Sequence, residues 1–268
     1  MARSLVLVLA LCAPLRAADK IPDGMLTRQT GELPILLSAP HGGRKPIPDC
    51  PVRAGKNVPL FVTVNDTNTD LLARKVADEI EKAMKAKPYL VIAHFERKYA
   101  DVNRPEANGV EHAAAKPYYR AYHEFLKDSR AAIQKDWGRG LVIDLHGQAA
   151  DANAIFRGTN NLQTTKHLVD RFGKTALTGK TGFFGLLAKA GYTITPANDA
   201  DAKEDPRFSG GYIVATYGSK TDGSVDAIQL ELGGQVRTRI GMDPFAKNLA
   251  AAIATFAKEY LPAEKKTK

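Results

Sequence analysis

Two rhythms alternate along the 268-residue chain. Short runs dominated by Leu, Ile, Val and aromatic residues occur at 33–39, 60–64, 89–95, 141–147, 154–157, 192–195, 212–217 and 227–232. They lack helical spacing and predict strands, the longest of them buried on both faces. Between them the apolar period lengthens. Leu71, Leu72, Val76, Ile80 and Met84 predict a helix to about Lys85, preceded by several N-cap candidates in 66–70. An amphipathic helix is predicted over 117–137, opening on Pro117, which a first helical turn tolerates. Residues 161–180 read as helix and loop and 182–190 as a short helix. The last helix, over 244–260, carries Phe245, Leu249, Ile253 and Phe256 on one face. Strands alternating with helices predict an α/β fold, a sheet with helices on both faces. The Gly- and Pro-rich stretch 42–59 reads as an irregular loop or lid, and 97–104 and 199–211 as polar loops.

Two of the strand runs end alike. Leu-Pro-Ile-Leu-Leu-Ser-Ala-Pro-His-Gly-Gly ends at His41-Gly42-Gly43, and Leu-Val-Ile-Asp-Leu-His-Gly ends at His146-Gly147. Open α/β sheets place ligands at the carboxyl ends of their strands, so two strand-end histidines predict a metal site across one sheet edge. Zinc takes imidazole nitrogens and carboxylate oxygens and, in catalytic sites, leaves one position open. Asp66 and Asp70 follow the His41 loop and either can complete the set. Asp66 is preferred, because Asp70 sits beside the first apolar helical positions, where it favours the helix N-terminus. Capping alone is the competing role for both. His94, His112, His123 and His167 lack strand-end placement and read as structural.

The late strand Ala-Ile-Gln-Leu-Glu-Leu-Gly holds Glu231 near its end, on the same face as Gln229. A buried carboxylate is costly without a task or a partner, so Glu231 is the expected general base, with an edge-strand ion pair as its competing role. Arg97 and Asp101-Val102-Asn103-Arg104 form a polar cluster after a strand. It reads as a grip on a substrate carboxylate, with Arg97 also able to stabilise an oxyanion. Alternatively, the cluster is an ion-pair network within the loop around Asp101.

Composition narrows the setting. Hydrophobic residues make up 44% and charged residues 25%, which excludes a disordered chain, and the length suits one large α/β domain. Arg3, the apolar run 5–11 and Leu15-Arg16-Ala17 resemble a signal peptide over 1–17, leaving a single domain over 18–268 with a short basic tail. The apolar run is too short to span a membrane, so export without a stable membrane anchor is expected. Cleavage removes Cys12 and leaves Cys50, which reads as structural, so no intramolecular disulfide is expected. It also removes Arg3 and Arg16 and lowers the net charge from +9 to +7. The basic residues are scattered without aromatic interleaving, and nucleic acid is not an expected partner.

The motifs Ser38-Ala39-Pro40-His41-Gly42-Gly43, Asp66-x-x-x-Asp70, Asp101-Val102-Asn103-Arg104 and Asp144-Leu145-His146-Gly147, with the late Glu231, occur in the order expected of the N-formylglutamate amidohydrolase family. The chain resembles that family over roughly residues 33–240, and the family is similar to zinc carboxypeptidases. The resemblance implies a three-layer α/β/α fold around a mixed, mostly parallel sheet of about eight strands. It implies one zinc ion held by His41, an Asp and His146, with Glu231 as general base and Asn103 and Arg104 on a substrate carboxylate. Arg97 matches the oxyanion-stabilising Arg of carboxypeptidases. Those enzymes carry a Glu three residues after the first His, where this chain has Arg44, so the carboxylate ligand falls to Asp66 or Asp70. A signal peptide sits poorly with the cytoplasmic histidine breakdown that the resemblance suggests. The expected partner is therefore a small amide or peptide substrate bearing a carboxylate, such as an N-acyl amino acid. The alternatives are a carboxypeptidase acting on peptides or cell-wall peptides, and an exported carboxylate-binding protein without turnover.

Overall fold

The computed structural model describes residues 21–199, 201–220 and 223–266; the expected signal peptide, 1–17, lies outside them. The strands are β1 (Leu26–Gln29), β2 (Ile35–Ala39), β3 (Tyr89–Ala93), β4 (Gly140–Gly147), β5 (Ala154–Gly158), β6 (Thr193–Thr195) and β7 (Val225–Leu232). They form one sheet in the order β1-β3-β2-β4-β7-β5-β6. The β1–β3 and β5–β7 pairs are antiparallel and the others parallel. The helices are α1 (Thr69–Met84), α2 (Glu106–Gly109), α3 (Lys116–Trp137), α4 (Lys166–Phe172), α5 (Thr175–Thr178), α6 (Phe183–Lys189), α7 (Tyr212–Tyr217) and α8 (Met242–Tyr260). The expected three-layer fold with a mixed, mostly parallel sheet is borne out, with seven strands among the described residues rather than about eight.

The alternation of side chains along each strand divides the core in two. Ile35, Leu37, Leu141, Ile143, Leu145, Ile228, Leu230 and Leu232 face α1, α8 and the α4–α6 region, where Leu72, Val76, Phe183, Phe245 and Ile253 are fully buried. Leu36, Val91, Val142, Val225 and Ala227 face α3 and α7, against Tyr122, Leu126, Ile133 and Ile213. Each such Leu or Ile contributes roughly 1.5–3 kcal/mol by leaving water. On the first face the apolar register continues to the strand ends. On the second it turns polar: Asp144 and His146 follow Val142 in β4, and Gln229 and Glu231 follow Ala227 in β7. The register pairs Asp144 with Gln229 and His146 with Glu231. Ser38 of β2 lies beside Asp144. One face of the sheet thus changes from core to polar floor at its carboxyl edge.

Two predicted strands do not form. Residues 60–64 stay irregular, with Leu60 and Val64 exposed and no strand paired to them among the described residues. Residues 212–217 form α7, although Ile213, Val214 and Thr216 are β-branched. The Ile213 N–H donates to Asn103 Oδ1 at 2.8 Å and the Gly211 N–H to Gln229 Oε1 at 2.8 Å, so side chains from two other elements cap the helix start. Ile213, Val214 and Tyr217 then bury one helical face. Tertiary packing overrides strand propensity here. β1 pairs with the edge of β3 and has no counterpart among the predicted strands.

Candidate active site

His41, Asp66 and His146 converge at the carboxyl ends of β2 and β4. All three are buried, and one ligand atom from each lies within 4.8 Å of the others. Asp66 Oδ2 is 3.4 Å from His41 Nδ1 and 3.1 Å from His146 Nδ1. A tetrahedral zinc with bonds of about 2.0–2.1 Å would need donors about 3.3 Å apart, and the two spacings from Asp66 match that value. His41 Nδ1 is a buried polar atom with no hydrogen-bond partner, a further mark of a place for a cation.

Local structure explains why Asp66, not Asp70, points inward. The Asp66 N–H donates to His41 O at 2.9 Å, and the Asp66 carbonyl takes both the N–H and the hydroxyl of Thr69. The helix instead begins after Asn68, in the left-handed region at φ 67°, which makes no side-chain cap bond and gives its amide to Arg237 O. The Asp66 carboxylate is therefore free of capping duty and also accepts the Gly147 N–H at 3.1 Å. Asp70 stays in the first turn of α1, against Gly42. A Cβ on Gly42 would come within 2.3 Å of the Asp70 backbone nitrogen, so only glycine lets the helix approach this closely.

Each histidine has a second carboxylate behind it. His41 Nε2 lies 2.8 Å from Asp101 Oδ1, and His146 Nε2 lies 2.8 Å from Asp144 Oδ2. Donating Nε2–H to these oxygens leaves both Nδ1 atoms facing Asp66, the arrangement that orients imidazoles toward a metal. Neither carboxylate stands out in the sequence as a partner. Strand alternation carries a signal for Asp144, which sits two residues before His146 on one face; Asp101 is brought to His41 by a loop 60 residues away.

Carboxylates, imidazoles and guanidiniums shift one another in this cluster. Burial alone would lower the His146 pKa, but Asp144, Asp66 and Glu231 hold it well above the usual histidine value. Burial would raise Asp66 and Asp101, and their histidine partners pull both below the ordinary carboxylate range, with Arg97 adding to the effect at Asp101. Glu231 behaves oppositely. Burial, reinforced by Asp66 and Asp144, pushes it up to about 7, against the pull of His146 and Arg97. Its Oε1 accepts from Gln229 Nε2 at 2.8 Å. It is not the ion-paired edge residue of the competing reading, because β7 lies inside the sheet between β4 and β5.

The loop cluster divides its roles. Arg97 donates through Nε to Asp101 Oδ2 at 2.8 Å, so the ion pair of the alternative reading exists, and its Nη1 is 3.9 Å from Asp66 Oδ1. Asn103 is turned inward: Oδ1 takes the Ile213 N–H, and Nδ2 lies 3.2 Å from His146 Nε2 and 3.5 Å from Gln229 Oε1. Its Oδ1 is thus occupied in holding the start of α7, while the Nδ2 amide borders the cleft. Arg104 keeps its guanidinium at the rim. A cleft of about 250 Å³ lies over these groups, lined by Asp66, Arg97, Asn103, Arg104, His146, Gln229 and Glu231 on one part and Leu60, Val62, Arg207 and Phe208 on another.

No family model matches the chain. N-formylglutamate deformylase from Pseudomonas aeruginosa is 24% identical over 266 residues, covering 88% of this chain and 93% of that protein. The crystal structure of an N-formylglutamate amidohydrolase from Ralstonia eutropha superposes with a TM-score of 0.61 at 17% identity, covering 88% of this chain and 98% of that one. A gene product of Agrobacterium tumefaciens gives 0.55 at 12% identity, covering 87% and 95%. The chain is thus similar in sequence to an N-formylglutamate deformylase and in fold to an N-formylglutamate amidohydrolase. The sequence relative and the shared fold together bear out the resemblance carried by the five motifs. The remaining histidines sit outside the cluster, with His94 beside Thr27 Oγ1 at 2.8 Å and His123 between Tyr217 and Val102. Cys50 is buried and unpaired.

Proposed function

We propose that the chain is an exported, zinc-dependent amidohydrolase that cleaves the C–N bond of an N-acyl amino acid or small peptide carrying a free carboxylate. The observation that carries this reading is the buried trio of His41, Asp66 and His146, with an unpartnered nitrogen on His41 and a carboxylate behind each imidazole. Zinc in that trio would supply Lewis acidity to the amide carbonyl and acidity to a water molecule. Glu231, near neutrality at about 7, accepts the proton of the attacking water and returns it to the leaving nitrogen. The Nη atoms of Arg97, whose Nε is held by Asp101, stabilise the oxyanion. Arg104 and the Nδ2 amide of Asn103 orient the substrate through its carboxylate, and Asn103 Oδ1 also holds the start of α7. The apolar run and cleavage site in 1–17 support export, which N-terminal sequencing of secreted protein would check, with Ala18 the expected first residue.

The test is the zinc content of the mature protein by elemental mass spectrometry, together with turnover on a panel of N-acyl amino acids and short peptides. The expected result is about one zinc per chain, lost in His146→Ala and retained in Glu231→Gln, whose turnover falls by about 10²–10⁴-fold. A wild-type protein that takes up no metal after zinc is supplied would overturn the proposal.

A further inference from the structure

The charges around the cleft leave one cation unmatched. Arg97 is paired with Asp101 at 2.8 Å. Arg207 is held by Asp205, with Nη2 2.6 Å from Oδ2 and Nε 3.0 and 3.2 Å from the two carboxylate oxygens, and its guanidinium lies 5.0 Å from the centre of the Phe208 ring. Arg104 differs. Its Nη1 donates to Asn103 O at 3.0 Å and its Nη2 to Leu60 O at 3.3 Å, both neutral carbonyls, and among the described residues no carboxylate lies within ion-pairing distance of it. The cleft thus offers a full positive charge to one substrate carboxylate, not to two.

Arg104 shares the cleft with the apolar side chains of Leu60, Val62 and Phe208, whose segments are held from behind. Arg104 fixes the carbonyl of Leu60. The buried Arg53 donates to Val62 O at 2.9 Å and to Arg97 O at 2.9 Å, and lies 4.9 Å over the ring of Phe61. Leu60 sits at φ 51°, a region that leucine rarely occupies, and its side chain is 82% exposed. Val62 is 36% exposed on the same wall. Phe208 also lines the cleft and packs on Phe156 with ring centres 4.6 Å apart. Its loop is tied down by Glu204, fully buried in its side chain, which pairs with Arg157 at 3.0 Å and accepts the N–H groups of Thr159 and Asn161 at 3.0 and 2.9 Å. Arg157 in turn donates to Asp199 O and Ala202 O at 3.1 and 2.8 Å. Both apolar segments are pre-organised, so contact with a substrate there does not require ordering a loose loop.

We propose that the cleft selects a substrate whose amino-acid part has a single carboxylate and an apolar side chain, the carboxylate on Arg104 and the side chain against Leu60, Val62 and Phe208. This rests on the amidohydrolase reading and names its substrate class. A second carboxylate, such as that of a glutamyl side chain, meets aliphatic surface and guanidiniums that are already paired.

The experiment uses the zinc-loaded mature chain and compares kcat/KM for N-formyl-leucine, N-formyl-phenylalanine and N-formylglutamate. In parallel, titration calorimetry measures binding of the same compounds to Glu231→Gln. The expected result is a preference of at least about tenfold for the apolar compounds in both measurements. Leu60→Asn, which suits the left-handed backbone and removes the apolar contact, is expected to reduce that preference several-fold, mainly through KM. Equal or better handling of N-formylglutamate overturns the selectivity while leaving the hydrolase reading standing. Tenfold tighter binding of the apolar compounds without turnover of any supports the selectivity and overturns the hydrolase reading. Neither turnover nor ranked binding overturns both.

Discussion

Asp144→Asn isolates the contribution of a carboxylate that would act on the metal only through the histidine it touches. Asp144 is fully buried in β4, and Oδ2 lies 2.8 Å from His146 Nε2 while Oδ1 has no partner. An Asn keeps the shape and removes the charge. Its oxygen can still accept from Nε2–H, but the imidazole loses the anion that raises its basicity. Its amide can also rotate to donate to Nε2, which moves the ring proton to Nδ1, the atom facing Asp66. Removing partners of this kind costs about 10–100-fold in metal affinity, or about 1.4–2.7 kcal/mol. The same figure appears in stability. At zinc a thousandfold above the wild-type Kd, binding stabilises the fold by about 4.1 kcal/mol, and a hundredfold weaker variant retains only about 1.4. The assay is competition for zinc against a chromophoric chelator, with thermal unfolding of metal-free and metal-loaded protein alongside. The expected outcome is a weaker Kd, a smaller metal-induced rise in Tm, and little change in far-ultraviolet circular dichroism. A Kd within threefold of wild type would refute the argument that Asp144 orients His146.

Two further predictions concern the fold. His123 donates Nε2–H to Val102 O at 2.9 Å and accepts at Nδ1 from the Tyr217 hydroxyl at 2.8 Å, and burial pushes its pKa down to about 4. With the unfolded value near 6.5, its stabilising contribution is complete above about pH 6.5 and is lost as pH falls through about 4, up to about 3 kcal/mol. Urea unfolding between pH 7 and 4 should therefore show a shallower loss of stability in His123→Gln, and identical slopes would count against the reading. Glu204→Ala leaves Arg157 buried and uncompensated and is expected to destabilise the protein by about 3–5 kcal/mol in urea unfolding. A loss under 1 kcal/mol would mean that the 199–211 loop is not held by this pair.

Local pattern determined much of this protein. Apolar runs that cannot be solvated become strands, and the helices between them carry one apolar stripe each, so the alternating order of elements follows from residue type alone. The two strand-end His-Gly pairs were legible for the same reason, because a polar side chain closing a buried run is costly unless it meets a ligand or a partner, and Glu231 stood out by the same cost. Tertiary structure decided which groups face one another. Position in the sequence favoured Asp66 over Asp70 without deciding between them, and the bond from the Asp66 N–H to His41 O turns Asp66 inward while Asp70 remains on the helix. The Asn103 bond to Ile213 and the Gln229 bond to Gly211 convert a β-branched segment into α7, an interaction across 110 residues in the first case that no local preference encodes. Exposed Leu60 likewise gains meaning only beside Arg104, the unmatched charge. Chain-local chemistry specified the elements and their polar ends, and the long-range hydrogen bonds that assemble them specified the site.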